Sequence, residues 1–345
     1  SGANRISTLS MEQVAGLTTD QVKALTGPQI TELTTAQVRE LTATQIAVLD
    51  SAQVASIQTR DLALLTTDQL ASISGSAAAG FTVDQVENLT NDQVEALTTS
   101  QVASLDGTRI AAFTTAQISH LGTAQTTALS SAQVAALETK DLVQMTTTQV
   151  NALNVASLGG LNSSITNQMA SLTSDQVSAL SYDQVSALST AQLKSLTSDQ
   201  FSALTDVQVS ALSAPQIAAI DSGDFAQLRL QAAAALSVVQ LNAMDSNQLQ
   251  SLTTAQIRVL DDYKVAGLST QQFINLKNEQ LAALTTLQVA AHDLQGHRHA
   301  PSHELKQRTI ELRHLTNANQ AHRPEGGAPT KIPPAFGYNP FSLAR

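Results

Sequence analysis

A large apolar residue recurs at every eighth position over most of the chain. From Leu9 the series runs through twenty anchors to Leu161, slips by three residues, and resumes at Leu172 for fifteen more, ending at Leu284. A fixed period of this length is typical of a repeat architecture. The consensus unit reads Leu; Thr, Ser or Asp; Thr or Ser; any residue; Gln; Val or Ile; any residue; Ala.

This period fits neither a continuous helix nor a strand. Eight residues at about 100° each would carry the Leu stripe round a continuous helix by roughly 80° per unit. In a strand, the Leu at position one and the Val at position six would lie on opposite faces. The pattern therefore predicts short separate helices, one in each unit.

The polar positions explain how each helix begins. A Thr at position two followed three residues later by Gln is a capping box, in which the Thr hydroxyl accepts a backbone N–H and the Gln side chain reaches back to the Thr N–H. The first predicted structural caps of this kind are Gln13, Gln21, Gln29, Gln37 and Gln45.

The predicted fold is all-α, an elongated solenoid or spiral of very short capped helices. Leu and Val point to a shared axis, Ala at position eight allows close approach, and positions three, four and seven face water. Three or four helices per turn are both compatible with this pattern.

The register divides the chain into five predicted parts. Residues 1–161 form a first solenoid segment, 162–171 contain the slip and a bend, and 172–291 form a second segment. Residues 292–320 are a His-rich linker with a capping helix, and 321–345 are a Pro-rich extended tail.

Several units depart from the consensus. Residues 74–80 lose Gln and Val and contain two glycines that weaken a helix, and residues 222–235 could form one longer helix. Other units replace the Gln at position five by a charged residue, namely Asp61, Asp141, Asp224, Arg109 and Lys264. Variant capping is favoured, since Asp106 and Asp261 precede the two cations by three residues; a ligand-facing role is the alternative.

Charge and composition exclude several classes of function. Residues 1–291 hold 11 Lys and Arg against 24 Asp and Glu, so the repeats are acidic and nucleic acid is an unlikely partner. No run of 18 apolar residues exists, so no membrane span is predicted. The chain has no Cys, which excludes disulfides and thiolate metal sites.

No catalytic pattern stands out. The sequence lacks a Gly-rich phosphate loop, a zinc-protease motif and a nucleophile elbow, and the repeats contain one His, His120. We therefore expect neither an enzyme nor a cofactor. Four histidines could ligate zinc or nickel, but their spacing matches no closed site and a solvated linker is favoured; they are His292, His297, His299 and His303.

Aromatic residues are rare, at 3%, yet three lie close together near the C-terminus. Phe336, Tyr338 and Phe341 are candidate binding residues: this Pro-rich stretch could dock on a partner or pack back on its own solenoid.

The unit resembles the L-T-x-x-Q-[VI]-x-A-L octapeptide arrays of proteobacterial proteins, many of them secreted, over roughly residues 7–290. The resemblance implies bacterial origin and repeat expansion, but no ligand and no site residues. The phrase L-T-x-x-Q-V is also similar to the first helix of transcription-activator-like effector repeats. That interpretation is rejected, because the unit has eight residues, no base-reading loop follows, and the repeats are acidic.

These features predict a non-enzymatic scaffold or spacer that presents a long polar surface to a protein partner. The alternative is a secreted bacterial adhesin or effector that binds a host protein or glycan, and a secreted or cell-surface location is favoured over the cytoplasm. Only Ile6 precedes the first anchor as a large apolar residue. End-to-end self-association is therefore an alternative to a monomeric rod.

Overall fold

The computed structural model describes residues 6–161 and 167–296. In those ranges the chain forms thirty-five α-helices and one 3-10 turn, Ile6–Thr8, and no strand. Thirty-four of the helices have four to six residues, and each occupies one octad. The predicted all-α solenoid of very short helices is confirmed.

The helices of the first described range are α1 Met11–Ala15, α2 Thr19–Lys23, α3 Gly27–Glu32, α4 Thr35–Glu40, α5 Ala43–Ile46, α6 Ser51–Ser56, α7 Thr59–Leu62, α8 Thr67–Ser72, α9 Gly75–Ala78, α10 Val83–Glu87, α11 Asn91–Ala96, α12 Thr99–Ser104, α13 Gly107–Ala111, α14 Thr115–Ser119, α15 Thr123–Thr127, α16 Ser131–Ala136, α17 Thr139–Gln144, α18 Thr147–Ala152 and α19 Val155–Leu158. Those of the second are α20 Gln168–Ser171, α21 Ser174–Ser178, α22 Tyr182–Ala187, α23 Thr190–Lys194, α24 Ser198–Ala203, α25 Asp206–Ala211, α26 Ala214–Ala219, α27 Ser222–Phe225, α28 Leu230–Ala235, α29 Val238–Ala243, α30 Ser246–Ser251, α31 Thr254–Val259, α32 Asp262–Ala266, α33 Thr270–Ile274, α34 Asn278–Ala283 and α35 Thr286–Gly296.

Two successive extended residues make the corner between helices. Helix α4 ends at Glu40; its C-cap, Leu41, has φ −60° and ψ 126°, and the next residue, Thr42, has φ −71° and ψ 156°. Neither residue continues an α-helix, so the chain changes direction at each Leu-Thr pair. The Thr is at the same time the N-cap of the helix that follows.

Helices three apart along the chain stack on one another. Helix α1 contacts α4, α2 contacts α5, α3 contacts α6, and the pattern extends to α32 with α35. One turn therefore contains three helices, which decides between the three or four that the sequence allowed. The stacked helices form three columns, which we call face A (α1, α4 and onward to α34), face B (α2, α5 and onward to α35) and face C (α3, α6 and onward to α33).

The core lies along the axis that the three columns share. Most anchors and position-six residues are buried in one apolar cluster that extends from Ile6 to Val289, and the first three anchors, Leu9, Leu17 and Leu25, are partly buried against it. Positions four and seven are mostly exposed, as at Ala36 and Arg39, whereas position three is half-buried at Thr35. The hydrophobic pattern thus predicted the buried face of each helix. The prediction that position three faces water holds only in part, because Thr35 is half-buried there.

Stacking continues across the register slip. Contacts between α17 and α20, α18 and α21, and α19 and α22 join the two sides. Residues 162–166 lie outside the described part, so the bend and the division into two segments stay predictions. The predicted longer helix at 222–235 is wrong: α27 and α28 are separate, because Arg229 is extended, with φ −60° and ψ 151°.

Helix α9 lacks the Gln and approaches the preceding turn closely. A Cβ atom on Gly80 would lie 1.9 Å from the backbone oxygen of Ser51, and one on Gly160, which follows α19, would lie 2.0 Å from that of Ser131. Only glycine fits such contacts. The glycines that weaken these helices in isolation are therefore required by the packing between turns.

Candidate interaction surface

Each consensus helix carries a reciprocal cap. In α4 the Thr34 N–H donates to Gln37 Oε1 at 2.8 Å, and the Gln37 N–H donates to Thr34 Oγ1 at 3.3 Å. Gln13, Gln21 and Gln45 hold their own caps in the same way, whereas at Gln29 the Thr26 N–H and the Thr26 hydroxyl both donate to Gln29 Oε1. Two of the N-terminal N–H groups that helix geometry leaves without a partner, those of the N-cap residue and of the third helical residue, are thus satisfied by bonds within each unit.

The same glutamines also tie successive turns together. Gln101 is fully buried, and its Nε2 donates to Leu70 O at 2.7 Å and to Ile73 O at 2.8 Å. Gln37 does the same with Ile6 O and Leu9 O. These carbonyls lie at the end of a helix of the preceding turn: Leu70 O also accepts from the Ile73 N–H at 3.2 Å, and Ile73 O belongs to the residue that follows that helix. We call this series of bonds the glutamine ladder.

The ladder adjusts its spacing at the slip. From Gln45 to Gln149 the glutamine donors lie 28 and 31 residues after their two main acceptors, as in Gln149 with Leu121 and Ile118. Gln69 differs, with acceptors 28 and 30 residues before it. From Gln168 to Gln192 the separations become 31 and 34, and at Gln200 they return to 28 and 31. Three extra residues are therefore absorbed within one turn without breaking the ladder.

Sequence reasoning missed the ladder, although a signal was present. A capping box accepts Glu or Gln equally, since it needs only a side-chain oxygen. Position five of the thirty-five units is Gln in twenty-six and never Glu. Only the amide places an N–H donor beyond that oxygen. The absence of Glu thus indicates a second acceptor on the far side.

Three aspartates interrupt the ladder. Asp61 and Asp141 are each only 1% exposed, and they accept hydroxyl bonds from Thr35 at 2.5 Å and Thr115 at 2.6 Å. Asp224 accepts one from Ser198 at 2.8 Å. These carboxylates are directed at the preceding turn.

The environment of two of these carboxylates differs. Asp61 Oδ2 is buried with no hydrogen-bond partner, while its Oδ1 lies 3.5 Å from Arg60 Nε. Beside Asp141, a hydrogen bond to Glu138 at 2.7 Å raises the pKa of Lys140, and the charges of Glu138 and Asp141 add to that effect. Asp61 is therefore the least satisfied residue of the ladder.

Two cations take the place of Gln at the same position. Arg109 Nε donates to Phe81 O and its guanidinium pairs with Asp106. Lys264 Nζ donates to Ala234 O at 2.5 Å and lies 3.2 Å from Asp261 Oδ2. Both residues donate to the preceding turn while pairing with their N-cap, as the charged version of the cap predicts.

The outer surface changes character along face B. At position four the first turns carry exposed polar residues, such as Asp20, Thr44 and Asp68. Three later turns place large apolar side chains at this position, each between 59% and 71% exposed. They are Val239, Tyr263 and Leu287, and Pro215 one turn earlier is also exposed.

These four residues are 24 residues apart and lie on α26, α29, α32 and α35, which stack in that order. Packed helices are about 8–10 Å apart, so the four side chains form a line of roughly 24–30 Å. We call it the face B stripe. Scattered exposed apolar residues are normal, but a contiguous line of them marks an interaction site.

A comparable set lies on face A. Tyr182, Val207 and Leu230 come from α22, α25 and α28, three successive turns, and are 47% to 56% exposed. They use positions three and four, so they follow the column less regularly than the face B stripe. The two sets contain the same three residue types, which makes face A a matched control for face B.

The predicted site residues fall partly outside the described ranges. His292 is buried in α35, and its ring stacks on Phe273 with centroids 3.7 Å apart and planes at 15°. Among the residues that the structure describes, no group of three His, Cys, Asp or Glu could hold a metal ion. The remaining predicted residues lie beyond residue 296 and stay predictions, namely His297, His299, His303, Phe336, Tyr338 and Phe341.

The repeat geometry defines an α-helical repeat protein whose turns are joined by the glutamine ladder. A family model described as the ALTTAQ repeat matches residues 110–139 and 182–214, one segment on each side of the slip. No curated protein matches the chain. In the two described ranges, no helix has the length and hydrophobicity needed to cross a membrane.

Proposed function

We propose that this chain is a non-catalytic interaction scaffold that binds a protein partner along face B of its C-terminal half. The observation that carries the proposal is the face B stripe. Its three large side chains come from three successive turns and remain 59% to 71% exposed, although the fold buries most of its other large apolar residues. A soluble surface seldom leaves such a line uncovered.

The chemistry of the stripe fits a protein partner. Aliphatic and Tyr side chains are typical of the energetic centre of protein interfaces, and a polar rim excludes water around them. Exposed polar residues lie on both sides of the stripe, including Asp262 and Asn242. The spacing of roughly 8–10 Å between side chains would suit anchor residues on an extended or helical segment of the partner.

The way in which the turns are joined supports the scaffold role. Each turn contacts its neighbours, and buried amides such as Gln101 and Gln149 use their donors on backbone carbonyls. The side chains of these buried glutamines are therefore occupied by structural bonds. A repeat array of this kind holds distant surface residues at fixed separations.

The test compares two triple variants. In the full chain, Val239, Tyr263 and Leu287 are replaced by Ser; in the control, Tyr182, Val207 and Leu230 are replaced by Ser. Immobilised wild type and both variants are exposed to extract from the source cells, and the retained proteins are quantified by mass spectrometry. We expect a protein retained by wild type and by the face A variant, but lost from the face B variant.

Circular dichroism of the three proteins checks that both variants remain folded. The proposal is wrong if the face B variant retains the same proteins in the same amounts as the control.

A further inference from the structure

We propose that residues 332–341 of the same chain, Ile-Pro-Pro-Ala-Phe-Gly-Tyr-Asn-Pro-Phe, dock on the face B stripe. This is the same surface to which we assign a protein partner. Any competition between the segment and that partner rests on the proposed function. Docking of the segment itself does not depend on the partner.

The chain leaves the described part beside the stripe. Leu287 lies near the start of α35, and that helix ends at Gly296, nine residues later. At 1.5 Å per residue the end of the helix is about 14 Å from Leu287. The C-terminal residues are therefore tethered next to the stripe rather than at the opposite end of the solenoid.

The tether has a suitable length. Residues 297–331 number 35, and at about 3.3 Å per residue such a tether reaches at most about 115 Å, which exceeds the length of the stripe. The stripe begins within one turn of the tether and extends roughly 24–30 Å from Leu287 to Pro215. Because the segment and the stripe belong to one chain and the tether can span the distance, binding is intramolecular, and a weaker contact suffices than for a free ligand.

The segment offers matching apolar chemistry. It contains Phe336, Tyr338 and Phe341, three of the ten Phe and Tyr residues in the chain, together with Ile332 and three prolines. Proline lowers the entropy lost when a segment becomes ordered on a surface, as in other Pro-rich ligands of aromatic-lined sites. Ten extended residues span about 31 Å, which is close to the length of the stripe.

Charge favours the same pairing. Residues 1–296 hold 11 Lys and Arg against 25 Asp and Glu, a net charge of −14, whereas residues 297–345 hold 7 against 3, a net charge of +4. Lys331 precedes the segment directly, and Asp262 is exposed beside Tyr263 on the stripe. Opposite net charges attract the tail to the solenoid at physiological salt, with a range of about 8 Å.

Docking would give the surface a built-in competitor. If the segment covers the stripe, a partner must displace it, and the apparent affinity of that partner falls by the fraction of molecules in which the stripe is free. Removal of the segment would then strengthen partner binding without changing the binding surface.

Photo-crosslinking of the full chain tests the docking. Phe336 is replaced by the photoreactive benzoylphenylalanine, and equal amounts of unlabelled and 15N-labelled protein are mixed, diluted and irradiated. Adducts are then mapped by peptide mass spectrometry. The expected adducts join residue 336 to peptides that contain Val239, Tyr263 or Leu287 and carry one isotope only, because the contact is within one chain.

The two triple variants decide whether the contact uses the stripe. The yield of the cross-link between residue 336 and the stripe peptides should fall by about tenfold or more in the face B variant and stay unchanged in the face A variant. Adducts elsewhere on the solenoid, no adducts, or equal yields in both variants would overturn the inference. Adducts that mix the two isotopes would show that a second copy is the occupant.

The two proposals fail separately in this scheme. If the cross-links lie outside the stripe but partner capture still depends on the stripe, docking is wrong and the scaffold function stands. If the cross-links lie on the stripe but the face B variant captures the same proteins as wild type, the scaffold function is wrong and docking stands.

Discussion

Replacement of Gln101 by Glu separates the two roles of the ladder glutamine. The substitution keeps the oxygen that accepts from the Thr98 N–H at 2.7 Å. It replaces the amide nitrogen that donates to Leu70 O and Ile73 O, at 2.7 and 2.8 Å, by a second oxygen. The cap therefore survives, while the contact with the preceding turn becomes one between acceptors.

The expected cost follows from these bonds and from the burial of the site. Two lost hydrogen bonds account for about 1–3 kcal/mol. A buried carboxylate opposite two carbonyls adds a further penalty, which is limited because the group can take up a proton. From an unfolded pKa of about 4.3, protonation at pH 7 costs about 3.7 kcal/mol, and the neutral acid regains one donor. We therefore expect a loss of roughly 3–5 kcal/mol at pH 7.

The direction in which the stability of the Gln101→Glu variant changes with pH also follows from the site. Burial and the carbonyl oxygens raise the pKa of the introduced carboxyl group above its unfolded value. Relative to wild type, stability is therefore retained below about pH 4.3 and is lost progressively as the pH rises above it. At pH 4.5 the difference between the variant and wild type should shrink to about 1–2 kcal/mol.

Gln13 provides the matched control. It makes the same cap with Ser10, at 2.8 Å, but it lies in the first described turn and is exposed. Urea unfolding followed by far-UV circular dichroism, at pH 7 and pH 4.5, measures both variants. We expect a midpoint close to wild type for Gln13→Glu and a large decrease for Gln101→Glu. Equal midpoints for the two variants would refute the ladder as a source of stability.

Two further substitutions probe the irregular units. Asp61→Gln should raise the unfolding free energy by about 1–3 kcal/mol, because it removes the unpartnered carboxylate oxygen and restores the bonds to the preceding turn; a lower urea midpoint would contradict this. Gly80→Ala should lower it by about 1–3 kcal/mol, because the new Cβ would lie 1.9 Å from Ser51 O. Gly223→Ala meets no atom within 4 Å and should be neutral or slightly stabilising, so equal melting temperatures for the two Gly variants would contradict the close packing at Gly80.

Much of the fold could be predicted from local sequence. The cap at Thr34 and Gln37, and the burial of Val38 between two anchors, follow from residues within one octad. The number of helices per turn could not be predicted, since the same octad closes a turn of three or of four. That number depends on how far the backbone rotates at each corner, which no single residue determines.

The candidate surface could not be predicted either, because it depends on the number of helices per turn. Val239, Tyr263 and Leu287 are 24 residues apart, and their alignment has no meaning until three helices are known to complete a turn. Taken one at a time they are ordinary exposed residues of a repeat. Once the turn is known, a search at position four with a step of 24 finds the stripe directly.

The arrangement on which the stripe depends is the three-helix turn, and spin labels can measure it because the chain has no cysteine. Asp68→Cys is combined in turn with Asp84→Cys, Asp92→Cys or Ser100→Cys, which are exposed position-four residues 16, 24 and 32 residues away. Dipolar electron paramagnetic resonance should give the shortest distance for the pair with Asp92, near one helix spacing of about 10 Å. A shortest distance for the pair with Ser100 would indicate four helices per turn and would contradict the fold, the ladder and the stripe together.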